Sequence, residues 1–248
     1  FINAGDMYGT DLPTARIKYT VTYPADLFDT VKWHDGSPLS LGDFVLNMIL
    51  KFDRAKPESP IYDDSTVSTY DAFMATFRGV RIVSDNPLVI ETYTDQWQLD
   101  AELGIQDWWP NYATGPGAWH TLGLGIRAEE ENDLMFSADK AGALEKPWMS
   151  YIEGESLTVL ATYLIQSTVN DYLPYAPTLG DYVTQAEIDA RWANLQSWYA
   201  SQGHFWLGTG PFYLESANYV TKSVLLNRFA NFPDPADKWD CFTQAPSL

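Results

Sequence analysis

Imidazole is the side chain that trades protons near neutral pH, so the three histidines are the first residues to weigh for chemistry. His34, His120 and His204 lie far apart in the chain. None stands at metal-ligand spacing from another His, Cys or Asp pair. No G-x-S-x-G elbow, H-E-x-x-H helix or phosphate-cradling glycine loop is present. Gly123-Leu124-Gly125 lacks the third glycine of a dinucleotide loop and reads as an irregularity within a helix. Glu129-Glu130-Glu131 reads as a solvated charged face. Asp234, Asp237 and Asp240 lack the alternating spacing of a calcium loop. A carbohydrate-active hydrolase would need two carboxylates flanking one sugar bond, for which Glu153 with Glu155 or Asp234 with Asp237 are the candidates. Nothing in the sequence pairs either couple across a cleft. The expectation is a chain with no catalytic residues, no metal and no cofactor.

Aromatic residues speak more clearly to binding. Trp97, Trp108, Trp109, Trp119, Trp148, Trp192, Trp198 and Trp206 exceed what a core of this size needs. Tryptophan offers a large flat face and one donor, which suits a core and a peptide or sugar platform equally well. Trp192 and Trp198 fall on a helical stripe and read as core. Trp108, Trp109 and Tyr112 fall in a stretch rich in glycine and proline that reads as loop. Trp108 and Trp109 are therefore candidate ligand-binding residues.

Several elements must position these residues. Ile17, Tyr19, Val21 and Tyr23 alternate with polar residues as in a strand near Arg16 to Tyr23. Asp35-Gly36 supplies turn chemistry after Trp33-His34. Ser40 and Asp43 form a capping-box pair ahead of a helix from Leu41 to Arg54. Its Leu41, Phe44, Val45, Met48, Ile49 and Phe52 make one apolar stripe. A loop rich in proline and acid runs through Pro57, Pro60, Asp63 and Asp64, and a short helix is expected from Tyr70 to Phe77. Gly79 to Ser84 and Leu88 to Tyr93 flank Asp85-Asn86-Pro87 as strand, turn and strand. Two further helices are expected, one from Ser156 to Tyr172 and one from Thr184 with Glu187 as its capping-box acid. The latter carries Ile188, Trp192, Leu195 and Tyr199 on one stripe. No internal repeat or low-complexity tract interrupts the chain.

The balance of 33 acids against 15 bases gives a formal net charge of −18. That charge repels phosphate backbones and anionic lipid, which disfavours nucleic-acid and membrane-surface partners. With 46% hydrophobic and 19% charged residues, 248 residues can bury a substantial core. A single cysteine, Cys241, excludes an internal disulfide and a cysteine-based zinc site within these residues. No apolar run reaches the length needed to cross a bilayer. Phe1 is not followed by the basic, apolar and small-residue regions of a signal peptide.

Three segments, in order, resemble one family. Trp33-His34-Asp35-Gly36-Ser37-Pro38-Leu39 with Asp43-Phe44-Val45 is similar to the W-H-D-G-x-P-L-x-x-x-D-F-V segment of the extracellular solute-binding proteins of ABC importers. These belong to the oligopeptide/dipeptide-binding class (solute-binding family 5). Gly79 to Tyr93 is similar to a hairpin in that family. Gly208-Thr209-Gly210-Pro211-Phe212-Tyr213-Leu214, followed by Val224 to Phe229 and Asn231-Phe232, resembles the family's G-T-G-P strand and its hairpin partner. Residues 96–205 carry no family motif, and the first and last motifs lie farther apart than the family pattern leads one to expect.

The resemblance implies an α/β fold: a mixed sheet with packed helices, forming one lobe and part of a second lobe of a periplasmic-binding-protein-like type II architecture. The expected division is 1–29 as an N-terminal segment with the first strand, 30–205 as the α/β lobe, and 206–248 as a truncated hairpin returning toward it. Family members are roughly twice as long, so the chain reads as a fragment, with the residues that capture peptide termini expected beyond Leu248. The implied function is capture of peptides or similar small solutes, including oligosaccharides, outside the cytoplasmic membrane, with ABC permease subunits as partners and no catalysis. The family can place a tyrosine near the ligand cleft after the W-H-D-G helix. Tyr62, one residue out of register with that position, is the matching candidate.

Overall fold

The computed structural model describes residues 8–111, 115–238 and 240–243. Tyr112 and the residues after Thr243 therefore lie outside the described residues. Strand β1 (Ile17–Thr22) alternates half-buried and exposed positions. It pairs antiparallel with β3 (Leu88–Thr94), and β3 pairs antiparallel with β2 (Phe77–Asp85), giving the order β1-β3-β2. The central strand turns Leu88, Ile90, Thr92 and Thr94 inward. The sheet is antiparallel throughout, which corrects the expected mixed sheet. β1 and β2 do run in the same direction, but the tight turn at Asn86-Pro87 folds β3 in between them, so no neighbours are parallel.

Helix α1 (Leu27–Thr30) is a single turn that leads to the W-H-D-G segment. There Gly36 adopts φ +90°, a conformation that a side chain would strain. Asp35 Oδ1 accepts the Ser37 N–H at 2.9 Å and so holds the bend. Helix α2 (Leu41–Asp53) follows, with the Ser40 N–H donating to Asp43 Oδ2 at 2.9 Å, the acid half of the expected capping box. Phe44, Val45, Met48 and Ile49 are buried as their spacing predicts, while Leu41 and Phe52 are half-buried. Leu46 and Leu50 are buried as well, because α2 is packed from more than one side.

Helix α3 (Asp64–Met74) starts six residues before the expected helix at Tyr70, and Phe77 belongs to β2. The cause is local: the Asp63 carboxylate accepts the Ser65 N–H at 3.0 Å and caps the helix there. Helix α4 (Trp119–Glu130) was visible in the sequence only as a glycine irregularity. It is buried from Trp119 to Ile126, and its glycines allow close packing. Any side chain at Gly125 would collide with Tyr151 and Phe136. The short α5 (Ala138–Leu144) is followed by α6 (Glu155–Val169) and the single-turn α7 (Ala176–Leu179). Helix α8 (Gln185–Gln202) is capped by Thr184 Oγ1, which accepts the Glu187 N–H at 3.2 Å. It buries Ile188, Trp192, Leu195 and Trp198, with Tyr199 half-buried.

One core joins the sheet, α2, α4, α6 and α8. Strands β4 (Phe212–Asn218) and β5 (Ser223–Arg228) form a separate antiparallel hairpin. It returns to the W-H-D-G turn through His34. The His34 N–H donates to Gly208 O at 2.9 Å, and the Gly208 N–H donates to His34 Nδ1 at 3.0 Å. The proton therefore sits on Nε2, which donates to Gly210 O at 3.1 Å. Among the described residues no helix is long and apolar enough to cross a membrane.

Candidate functional site

A cleft of about 530 Å³ opens between α2, α3 and the loop 106–111. Helix α2 and its C-cap contribute Asn47, Leu50, Lys51 and Arg54; α3 contributes Ser65, Thr66, Thr69, Tyr70 and Phe73; the loop contributes Gln106 to Trp109 and Asn111. Asn47, Lys51 and Arg54 stand at i, i+4 and i+7, so one polar stripe runs beside the apolar stripe of the same helix. That stripe is the sequence signal by which these residues could have been found.

The aromatic wall is built from contacts between elements. Phe73 stacks on Phe77 with centroids 4.7 Å apart, and Trp108 meets both edge-on at 6.3 and 6.1 Å. Trp109 packs on Phe44 at 5.6 Å and on Tyr23 at 6.1 Å. Trp108 has φ +56°, a left-handed conformation that costs a bulky residue energy. Its Nε1 donates to Thr92 Oγ1 at 2.8 Å, which ties the strained residue to the central strand. The indole is thus held at a fixed place in the cleft.

Charge in the cleft is uneven. Arg54 Nη2 donates to the buried Asp63 carboxylate at 2.8 Å, while Arg54 Nε is buried without a partner. Burial alone would raise the Asp63 pKa. Hydrogen bonds from Ser137 and Ser65, with the Arg54 charge, outweigh it and hold the carboxyl below its usual 3.8. Lys51 Nζ lies 4.2 Å from the Phe73 ring centroid and 5.7 Å from that of Trp108. Lys51 keeps part of its stem in solvent, yet burial of its head lowers its pKa from the ordinary lysine value. Gln106 Oε1 is buried with no donor.

These groups bind more readily than they react. Ser65 Oγ donates to Asp63 Oδ1 at 2.6 Å, the one hydroxyl–carboxylate couple in the lining. A carboxylate held below its usual pKa is a weak general base. None of the three histidines lines this cleft. His120 is buried, accepting from Arg191 Nη1 at Nδ1 (3.1 Å) and donating from Nε2 to Asp35 Oδ2 (2.9 Å). His204 accepts the Trp206 N–H and donates to Leu214 O.

The candidates named from sequence fall in different places. Trp108 and Trp109 both line the cleft. Tyr62 does not; its hydroxyl donates to Asp64 Oδ1 at 3.0 Å near the start of α3. Glu153 and Glu155 are exposed at the beginning of α6, and Asp234 pairs with Lys238 at 2.6 Å. Among the described residues no three His, Cys, Asp or Glu side chains are placed to hold a metal ion. The run 129–131 is not a uniformly solvated face. Glu129 is fully buried, accepting from the Phe136 N–H at 2.5 Å and Lys140 Nζ at 2.6 Å. Burial pushes its carboxyl above the usual range even against those partners, because α4 is packed on nearly every side.

No protein-family model matches the chain, and no curated protein matches it at a significant level.

Proposed function

We propose that this chain is a solute-capturing component of an ABC-type importer, binding a peptide or similar small solute outside the cytoplasmic membrane without transforming it. The observation that carries the reading is the cleft beside the W-H-D-G helix: aromatic walls and cationic side chains, with no competent nucleophile and base. The resemblance of residues 33–45, 79–93 and 208–232 to solute-binding family 5 points the same way. Fold and partners follow from the resemblance: a type II two-lobed architecture, with permease subunits receiving the loaded form. The physical cycle is closure, in which the solute binds the closed form better than the open one and shifts the population toward it. The hydrolase alternative is disfavoured because Glu153, Glu155, Asp234 and Asp237 all lie outside the lining of the cleft.

Indole emission reports directly on the cleft, since Trp108 and Trp109 line it. A panel of short peptides and cello-oligosaccharides is titrated against the chain and against Trp109→Ala. The expected result is a weak, saturable emission change with at least one panel member, lost in Trp109→Ala, with every ligand recovered intact by chromatography. Cleaved product, or no saturable response to any member, would overturn the proposal.

A further inference from the structure

The lining of the cleft separates a charged solute from a neutral one. Lys51 has no carboxylate partner among the described residues, although acids outnumber bases by 33 to 15 in the chain. Its ammonium already occupies the faces of Phe73 and Trp108. A solute ammonium or guanidinium seeking those faces would meet like charge and find the rings taken. A neutral sugar would strip water from the ammonium and return no charge to it. A carboxylate would do both jobs, replacing the lost water and pairing the charge. Arg54, in the same lining, adds positive potential and has a spare buried Nε. Asp107 is the opposing charge there, and its Oδ1 is engaged by the Trp109 N–H at 3.1 Å. Gln106 Oε1, buried and unpartnered, is an acceptor waiting for an N–H donor.

We infer that the solute carries a carboxylate bound by the Lys51 ammonium, with an amide N–H beside it for Gln106 and an apolar or aromatic flank for Phe73, Trp108 and Trp109. This inference rests on the receptor reading above. The chemical class is an N-acylated amino acid, of which the carboxyl end of a peptide is one instance. Lys51 is the specificity-determining residue, and neutral oligosaccharides are the class it rejects.

The test uses three probes, N-acetylphenylalanine, its neutral amide and cellobiose, titrated calorimetrically against the chain and against Lys51→Gln, Lys51→Arg and Trp109→Ala. The acid is expected to bind about tenfold more tightly than the amide, the ratio a single charge-assisted hydrogen bond supplies. Lys51→Gln should bring the acid down to the level of the amide, and Lys51→Arg should keep most of the preference. Equal affinity for acid and amide would overturn the inference, as would a preference that survives Lys51→Gln. If the amide or cellobiose binds as well as the acid and Trp109→Ala abolishes that binding, the receptor reading stands and the carboxylate falls. If no probe binds, or binding ignores Trp109→Ala, both fall together.

Discussion

Helix α2 carries two polar regions that differ in how completely their groups are partnered. At its N-terminal end the buried Asp43 carboxylate accepts from Trp33 Nε1, the Ser40 and Trp119 backbone N–H groups, and both terminal nitrogens of Arg191, at 2.8 to 3.1 Å. Arg191 also donates to Pro38 O, Ser40 Oγ and His120 Nδ1. Asp35 closes the circuit with His120 and the Ser37 N–H. At the C-terminal end Lys51 has aromatic faces but no carboxylate, and Arg54 Nε and Gln106 Oε1 have nothing. A satisfied buried network locks elements together, whereas unsatisfied groups around a cavity are what a ligand can complete. The first region binds the W-H-D-G turn to α4 and α8. The second is where a solute has something to gain.

The comparison breaks most visibly at Arg191. Replacing it with leucine leaves Asp43 buried and unpaired, and urea unfolding should show a loss of about 3–5 kcal/mol. Removing both charges, as Arg191→Leu with Asp43→Leu, should recover much of that loss, because the penalty belongs to the stranded partner. A double variant no more stable than Arg191→Leu alone would show that the network contributes more than charge compensation.

Asp35→Ala strands the donors of His120 and Ser37 and should cost about 1–3 kcal/mol in the same measurement. Solute affinity in the folded fraction should be unchanged. Intact stability with abolished binding would move the turn from the scaffold into the site.

Acid should loosen the scaffold before it reaches the carboxylates. Burial holds the pKa of both His34 and His204 below 6.5, so the folded form favours their neutral state. A folded pKa below the unfolded one gives stability that is present above pH 6.5 and lost as pH falls through the folded value. Protonation of His34 at Nδ1 would also oppose the Gly208 N–H, so the β4–β5 hairpin should show the first loss of amide protection. Asp35 is held below 3.8 by His120 and the Ser37 N–H despite its burial, and it joins only in stronger acid. His34→Gln should flatten the first part of the pH–stability curve. An unaltered slope would remove His34 from the account.

Lys51→Gln is the smallest change and sharpens the contrast most. With no partner to strand, it should shift unfolding stability by less than about 0.5 kcal/mol. A larger loss would mean that the cation–aromatic contacts of Lys51 are scaffold.

Short-range chemistry was legible in the sequence. The Asp35-Gly36 bend, the Ser40–Asp43 pair, the Thr184 cap, the β2–β3 turn and the buried faces of α2 and α8 depend on residues one to eight positions apart. Propensity and periodicity report on that range. Even there, α3 began earlier than its apolar residues suggested, because the cap at Asp63 outweighed them. Trp108 and Trp109 stood out as loop aromatics because such residues have no core to enter. Arg191 with Asp43, His120 with Asp35, and Glu129 inside α4 could not be read in advance. Each joins distant segments, and a charged side chain reads as solvent-exposed until the fold supplies its partner. The same holds for Lys51: the sequence places a lysine on a helix, and only packing decides that two aromatic rings face it and no carboxylate does. Burial and partnership are properties of several segments at once, so tertiary structure decided them.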